Sequence, residues 1–247
     1  MQPRNQERLS RRAFLRQGAL ASFGVGLFPY TGGAQPLPHA RAEVRRYVPL
    51  GRTGIQLSDI SFGASRLNAG EEAIVEHAFE RGINYFDTAE SYSGGDSERT
   101  IGHALRGKRD KIYIASKVEA GATDRQEALM ATLEDSLRRL RTDYVDLYFN
   151  HAVNDVHRLQ NPEWYEFTAR AKQQGKIRAT GMSGHAGHLL ECLDYALETG
   201  SVDVILVAYN FGQDPTFYER FTRSFDFVAR QPDLPRVLRQ ARPKGSA

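Results

Sequence analysis

Four titratable side chains sit at or just beyond the ends of short apolar runs. Asp87 follows Ile83-Asn84-Tyr85-Phe86, Lys117 comes shortly after Lys111-Ile112-Tyr113-Ile114, and His151 follows Val145-Asp146-Leu147-Tyr148-Phe149. Tyr92 lies five residues beyond Asp87, in a loop containing Ser93-Gly94-Gly95. A fifth polar residue, Ser183, closes the run from Ile177 to Met182. Together the four titratable groups form an acid–base apparatus. A tyrosine with an ordinary pKa of about 10 is a reluctant proton donor. A nearby lysine ammonium favours the phenolate and lowers that pKa, and a carboxylate keeps the lysine protonated and in place. A histidine orients a carbonyl or relays the proton. The set suits reduction of a carbonyl, with hydride from a cofactor and a proton from tyrosine. Taken singly, each residue has a plainer reading. Asp87 can cap a loop, Lys117 can be a solvated charge, His151 a hydrogen-bonded structural residue and Tyr92 a surface aromatic.

The elements that must position these groups alternate in type. Ile60-Ser61-Phe62-Gly63 reads as a first strand, followed by a helix through Ile74, Val75, Ala78 and Phe79 that Gly82 ends. The runs ending near Asp87, Lys117, His151 and Ser183 give strands two to five, and Val202 to Val207 the sixth. A helix opening at Thr123 and Gln126, a capping-box spacing, carries Leu129, Leu133, Leu137 and Leu140 on one face. Asn161-Pro162 starts a helix that ends near Gly175, and His188 to Glu198 forms one closed by Gly200. Pro235 to Gln240 can form a further short helix. Strand starts recur at about 25 to 35 residues, the spacing of βα units in a (β/α)8 TIM-type barrel, whose sites gather at the carboxyl ends of the strands. A doubly wound sheet is disfavoured because no G-x-G-x-x-G follows the first strand. Only six such units are predicted, two fewer than a full barrel.

Composition narrows the function classes. The 247 residues are 40% hydrophobic and 26% charged, with a net charge of +3. Of 33 basic and 30 acidic residues, Arg4, Arg8, Arg11, Arg12, Arg16 and Arg41 but only Glu7 fall in residues 1–42. The remainder holds 27 basic and 29 acidic residues, so nothing in its balance suggests nucleic-acid binding. Residues 1–42 have the order of an export signal: Ser10-Arg11-Arg12-Ala13-Phe14-Leu15, a mild apolar stretch from Gly18 to Phe28, and Ala40-Arg41-Ala42. The paired arginines resemble a twin-arginine signal, read by the export machinery and leading to the bacterial periplasm. A domain over 43–247 would follow. Cys192, the single cysteine, excludes an internal disulfide and reads as a buried packing residue. His185 and His188 lack a third ligand, so no metal site is expected. Phe211 to Phe227 reads as an aromatic, charged segment packing over the barrel.

Several longer motifs, in order, resemble the aldo-keto reductase family over roughly Arg46 to Asn210. They are Leu50-Gly51-Arg52-Thr53-Gly54-Ile55; Gly82 to Ala89 through Tyr92, with Gly95, Ser97 and Glu98; Leu137-Arg138-Arg139-Leu140 through Asp143 to Tyr148 and His151; and Gly175-Lys176-Ile177-Arg178 leading to Gly181 and Ser183. The resemblance implies an NADPH-dependent reductase of aldehydes or ketones. Asp87, Tyr92, Lys117 and His151 would be its catalytic tetrad and Tyr92 its general acid. Gly63, Asp87 and Ser183 would lie against the nicotinamide. It also implies a chain that stops before the family's last two strand–helix units, from which most adenine and 2′-phosphate contacts come. Two positions depart from the family pattern. Gly184 stands where asparagine is common and Leu206 where glutamine is common, which removes two contacts to the carboxamide. A non-catalytic binding or assembly protein on this scaffold is the competing reading. A hydrolase would need a nucleophile elbow or metal cluster that the sequence lacks.

Overall fold

A computed structural model describes residues 43–185, 188–208 and 234–241. The chain begins with a hairpin, β1 (Tyr47–Pro49) against β2 (Gln56–Ser58), paired Tyr47 to Ser58. Gly51 and Gly54 take positive φ in its turn, and Leu50 N–H donates to Ile55 C=O at 2.9 Å. Six parallel strands follow: β3 (Phe62–Gly63), β4 (Tyr85–Asp87), β5 (Tyr113–Val118), β6 (Val145–Asn150), β7 (Ile177–Gly184) and β8 (Val204–Val207). They pair strictly in chain order. That order belongs to a barrel-type sheet, since a doubly wound sheet reverses its order at a switch point. The helices between them are α1 (Glu72–Glu80), α2 (Asp96–Ala104), α3 (Gln126–Leu140), α4 (Pro162–Gln173) and α5 (Leu189–Thr199), with α6 (Leu234–Ala241) after β8.

Each strand divides its side chains between two cores. Outward residues Phe86, Ile114, Val118 and Tyr148 pack with Val75, Leu129, Leu133, Leu137, Trp164 and Phe167 of the helices, and Val145 and Ile177, at the amino-terminal ends of their strands, join the same cluster. Inward residues Tyr85, Ala115, Leu147, Phe149, Ala179 and Val204 form a second cluster, closed at the amino-terminal end of the strands by Ile55 of the hairpin. Gly181 is required there. A Cβ at that position would stand 2.4 Å from Cε1 of the Phe149 ring and 2.6 Å from the Val204 carbonyl. A third cluster joins Met182, Cys192, Leu193, Ala196 and Val237 under α5 and α6. Cys192 is fully buried, as its surroundings in the sequence predict.

The elements depart from expectation at their ends. β3 is shorter than the predicted strand, and Ile60 is 60% exposed, with the Ser58 hydroxyl bonded to its carbonyl instead of a strand partner. Ile74 is exposed too, because α1 turns only Val75 and Ala78 fully inward. The Thr123–Gln126 capping box does not form. The N-terminus of α3 is capped across space, by Glu163 Oε2 on Gln126 N–H at 3.0 Å. The predicted cap at Asn161 does form, its side chain accepting from Glu163 N–H at 3.0 Å ahead of Pro162. Gly82 and Gly200 close their helices in the left-handed region as predicted. The stretch 1–42 and the aromatic segment Phe211 to Phe227 lie outside the described residues.

Between α2 and α3 a carboxylate is buried without exposure. Glu98 accepts from Arg139 Nε at 2.6 Å and from the Ser116 hydroxyl at 2.5 Å, which ties both helices to β5. Arg139→Leu leaves that carboxylate without its cation. We expect a loss of about 3–5 kcal/mol in urea unfolding. A loss under about 1 kcal/mol would show that Glu98 finds water or neutralises at little cost.

Candidate active site

The two-residue period of a strand decides which side chains share the mouth. Tyr85 and Ala115 face inward, so Asp87 and Lys117, two residues on, face the same way. The same parity carries Phe149 to His151, Ala179 to Ser183 and Val204 to Leu206. All these positions lie toward the carboxyl ends of β4 to β8. Gly63, in register with Asp87, borders the same opening, and a Cβ added there meets nothing within 4 Å.

Lys117 is 1% exposed and its ammonium is held from two sides, by Asp87 Oδ1 at 2.6 Å and by the Thr88 carbonyl at 2.6 Å. Its Nζ also lies 5.0 Å from the centroid of the Tyr92 ring. The Tyr92 hydroxyl is 3.4 Å from His151 Nε2, with the two rings edge to face. The structure thus brings together the four residues that the sequence singles out. Burial raises the pKa of Asp87 and lowers that of Lys117, while their mutual attraction opposes both shifts. The expected lowering of the Tyr92 pKa by Lys117 is not found. Burial, and then the Asp87 charge, push the phenol up to about 12. The reason is geometric: the ammonium donates to Asp87 and Thr88 and meets the face of the tyrosine ring, not its oxygen. Burial, and then the neighbouring Lys117, His185 and Arg158, bring His151 down to about 4, so both partners of the 3.4 Å contact are neutral near pH 7.

Tyr92 is placed by the turn Tyr92–Gly95, in which Ser93, Gly94 and Gly95 all take positive φ. The loop before it is pinned by Ser97, whose hydroxyl donates to the Ala64 carbonyl at 2.9 Å and lies 2.7 Å from Thr88 Oγ1. Behind the turn, a Cβ on Gly95 would stand 2.9 Å from Arg139 Cδ. On the other side, Ser183 Oγ accepts from Ala152 N–H at 3.1 Å, and its carbonyl accepts from Val153 N–H at 2.7 Å.

The rim in part fits the nicotinamide end of a cofactor. Asp87 Oδ2 and His151 Nδ1 are buried without a hydrogen-bond partner among the described residues, Ser183 keeps its hydroxyl proton to donate, and Gly63 leaves space. The two departures narrow that fit. A Cβ on Gly184 would lie 2.5 Å from Leu189 Cδ1 and 2.9 Å from the Val153 carbonyl, so asparagine is not accommodated without movement. Leu206, 37% exposed, offers the rim an apolar side chain only. Among the described residues no cluster of three His, Cys, Asp or Glu could hold a metal ion, and His188 lies 3.7 Å from Glu191. A cavity of about 610 Å³ lies at the opposite end of the strands, between Arg52, Ile55, Arg178 and Asp203. Three of its charged groups are already paired, Arg178 with Asp146 and Lys172 with Asp203, so the mouth remains the better site.

The sequence profile of the aldo/keto reductase family matches residues 59–213. The chain belongs to this family. It is 32% identical to an L-galactose dehydrogenase of Arabidopsis thaliana over 182 residues, covering 66% of this chain and 56% of that protein. It is 38% identical to a methylglyoxal reductase of Escherichia coli over 130 residues, or 51% of this chain and 40% of that one. Thus the chain spans about half the length of the curated relatives it matches. Among solved structures, an aldo/keto reductase of Klebsiella pneumoniae in complex with NADP and acetate superposes with a TM-score of 0.55 at 26% identity, covering 72% of this chain and 65% of that one.

Sequence reasoning missed what holds the aldo-keto reductase mouth together. Arg158 donates four hydrogen bonds from an irregular stretch where no periodicity draws attention to it. Glu98 was visible as a motif residue, but its partners Ser116 and Arg139 are distant in the chain.

The His151 shift has a consequence for stability. Its folded pKa of about 4 lies below the ordinary 6.5, so between those values the unfolded chain binds a proton that the folded chain refuses. This contribution is complete above pH 6.5 and is lost as pH falls toward about 4. Urea melts across that window should show a steeper fall for wild type than for His151→Gln. Parallel curves would mean the imidazole is not held neutral.

Proposed function

We propose that this chain reduces aldehyde or ketone carbonyls with NADPH, Tyr92 supplying the proton. When bound, the cofactor supplies a hydride. The observation that carries the reading is the contact of the Tyr92 hydroxyl with His151 Nε2, with the Lys117–Asp87 pair behind the tyrosine ring. A phenol with a pKa of about 12 stays protonated at neutral pH, which a donor must do. A neutral His151 can donate from Nε2 to the same carbonyl oxygen, so the two groups polarise it together before the proton moves. Lys117 lies over the ring, where its ammonium favours negative charge growing on the phenol as the proton leaves. Gly63, Asp87 and Ser183 would hold the nicotinamide. Family membership and a relative bound to NADP support the cofactor, and a methylglyoxal reductase among the relatives supports a small carbonyl substrate.

Purified protein should consume NADPH in the presence of a carbonyl compound, and Tyr92→Phe should lower that rate at least about 100-fold, the scale of lost general acid catalysis. Equal turnover in Tyr92→Phe would remove the mechanism. Gly184 and Leu206 favour the second reading, a non-catalytic binding or assembly protein. Tight binding of a protein partner with no fluorescence change on NADPH titration would select it.

Residues 1–42 we read as a twin-arginine export signal that delivers the protein to the periplasm, on the order of its paired arginines, apolar stretch and Ala40-Arg41-Ala42. Among the described residues no helix is long and apolar enough to cross a membrane. Replacing Arg11 and Arg12 by lysine should leave the protein in the cytoplasmic fraction of a bacterial host. Unchanged fractionation would refute the signal.

A further inference from the structure

His151, like Tyr92, stands beyond the end of a strand, here on a connection with little regular structure. Between β6 and α4 that connection forms a single short turn, Val156–Arg158. The next residue, Ala152, takes a left-handed φ of 52°. For a residue with a Cβ this costs on the order of 1–2 kcal/mol and persists only where neighbours impose it. Two imposing contacts come from β7, through the Ser183 hydroxyl and carbonyl on the backbone N–H groups of Ala152 and Val153. The carbonyl side is held by one guanidinium. Arg158 Nη2 donates to the His151 carbonyl at 2.7 Å and to Asn150 Oδ1 at 2.8 Å. Its Nη1 donates to the Ala152 carbonyl at 2.9 Å, and its Nε reaches the Ala120 carbonyl, beyond the end of β5, at 2.7 Å.

Three consecutive residues, with His151 in the middle, are therefore gripped by one planar fork, and the fork is braced just past the end of the strand that carries Lys117. We infer that Arg158 is a positioning residue for His151, fixing the backbone on both sides of the imidazole and with it the approach of Nε2 to the Tyr92 hydroxyl. Arg158 reaches none of the proposed reacting atoms itself. The planar guanidinium matters as well as the charge. Four acceptors in these directions match a rigid set of five N–H donors, which a single ammonium cannot reproduce. The inference rests on the reading of His151 as a partner of Tyr92 in the proposed reaction, but the grip can be measured without any reaction.

The test uses the full chain and the variants Arg158→Lys and Arg158→Ala. Lysine keeps the charge and loses the fork, so a change in Arg158→Lys reports geometry. The first readout is a histidine ring titration by NMR, with the His151 signals assigned through His151→Gln. The groups facing this ring are Tyr92 from the β4–α2 loop, Lys117 from β5, His185 after β7 and Arg158 itself. We expect the His151 midpoint to rise from about 4 toward the ordinary 6.5 in both variants, and its contacts with the Tyr92 ring to weaken. The second readout is carbonyl reduction. There kcat should fall about 100-fold, as for a group displaced by about 1 Å, with KM for NADPH unchanged and with partial rescue of Arg158→Ala by methylguanidinium. A folded Arg158→Lys whose His151 midpoint and Tyr92 contacts match wild type overturns the inference. If Arg158→Ala does not fold, Arg158→Lys decides alone by the same criterion. If wild type shows no turnover, the proposed reaction fails, while the ring titration still decides the role of Arg158.

Discussion

An ammonium group removed from water must find, inside the protein, the partners it has given up. Lys117 is 1% exposed and finds two, a carboxylate one strand away and the carbonyl of the next residue along that strand. The desolvation of such a pair is costly enough that its geometry has little freedom. Much of the mouth follows from that. Asp87 must end β4 facing inward, Thr88 must turn its carbonyl toward β5, and the chain must then leave the sheet in a direction that brings Tyr92 back over the ammonium. The Thr88 N–H bond to Ala115 and the Glu90 N–H bond to the Lys117 carbonyl continue the pairing of β4 with β5 for three residues past the strand. The tyrosine stands where it does because the lysine is buried.

The same burial explains why the phenol is a poor acid at rest. A lysine that gives its hydrogens to Asp87 and Thr88 has little left to offer a neutral tyrosine, and low-dielectric surroundings disfavour the phenolate. The arrangement therefore keeps the proton on Tyr92 until charge develops nearby. Its neutral histidine partner is consistent with this, since a cationic imidazole would add an unpaired positive charge beside the ammonium that Asp87 already neutralises.

Strand ends make the candidate site legible. A run such as Val145 to Phe149 announces a buried strand, and in a parallel barrel the polar residue that follows it belongs to the mouth. Asp87, Lys117, His151 and Ser183 fall at one mouth on that basis, and the spacing of the units points to the barrel. What escaped the sequence reading was local backbone and long-range support. The apolar Ile60 predicts a longer first strand than forms, because its carbonyl is taken by a serine hydroxyl. The Thr123–Gln126 spacing predicts a local cap for α3 because capping signals are local, whereas Glu163 supplies it from the next helix. Arg158 carries no pattern of its own and Arg139 stands in a motif that does not name its partner, so their roles exist only once distant carbonyls and carboxylates have been assembled around them.

The fastening of the two proton-handling groups has a mechanical corollary. Tyr92 is referenced to α2 and α3 through Ser97, Glu98 and Arg139, while His151 is referenced to β7 and to the β6–α4 turn through Ser183 and Arg158. The two assemblies share one datum, β5, touched by Glu98 at Ser116 and by Arg158 just past the strand at Ala120. The 3.4 Å gap between phenol and imidazole is thus a clearance between two separately mounted parts, and play in either mounting passes into it undiminished. Such a gap can be widened from places that never touch it.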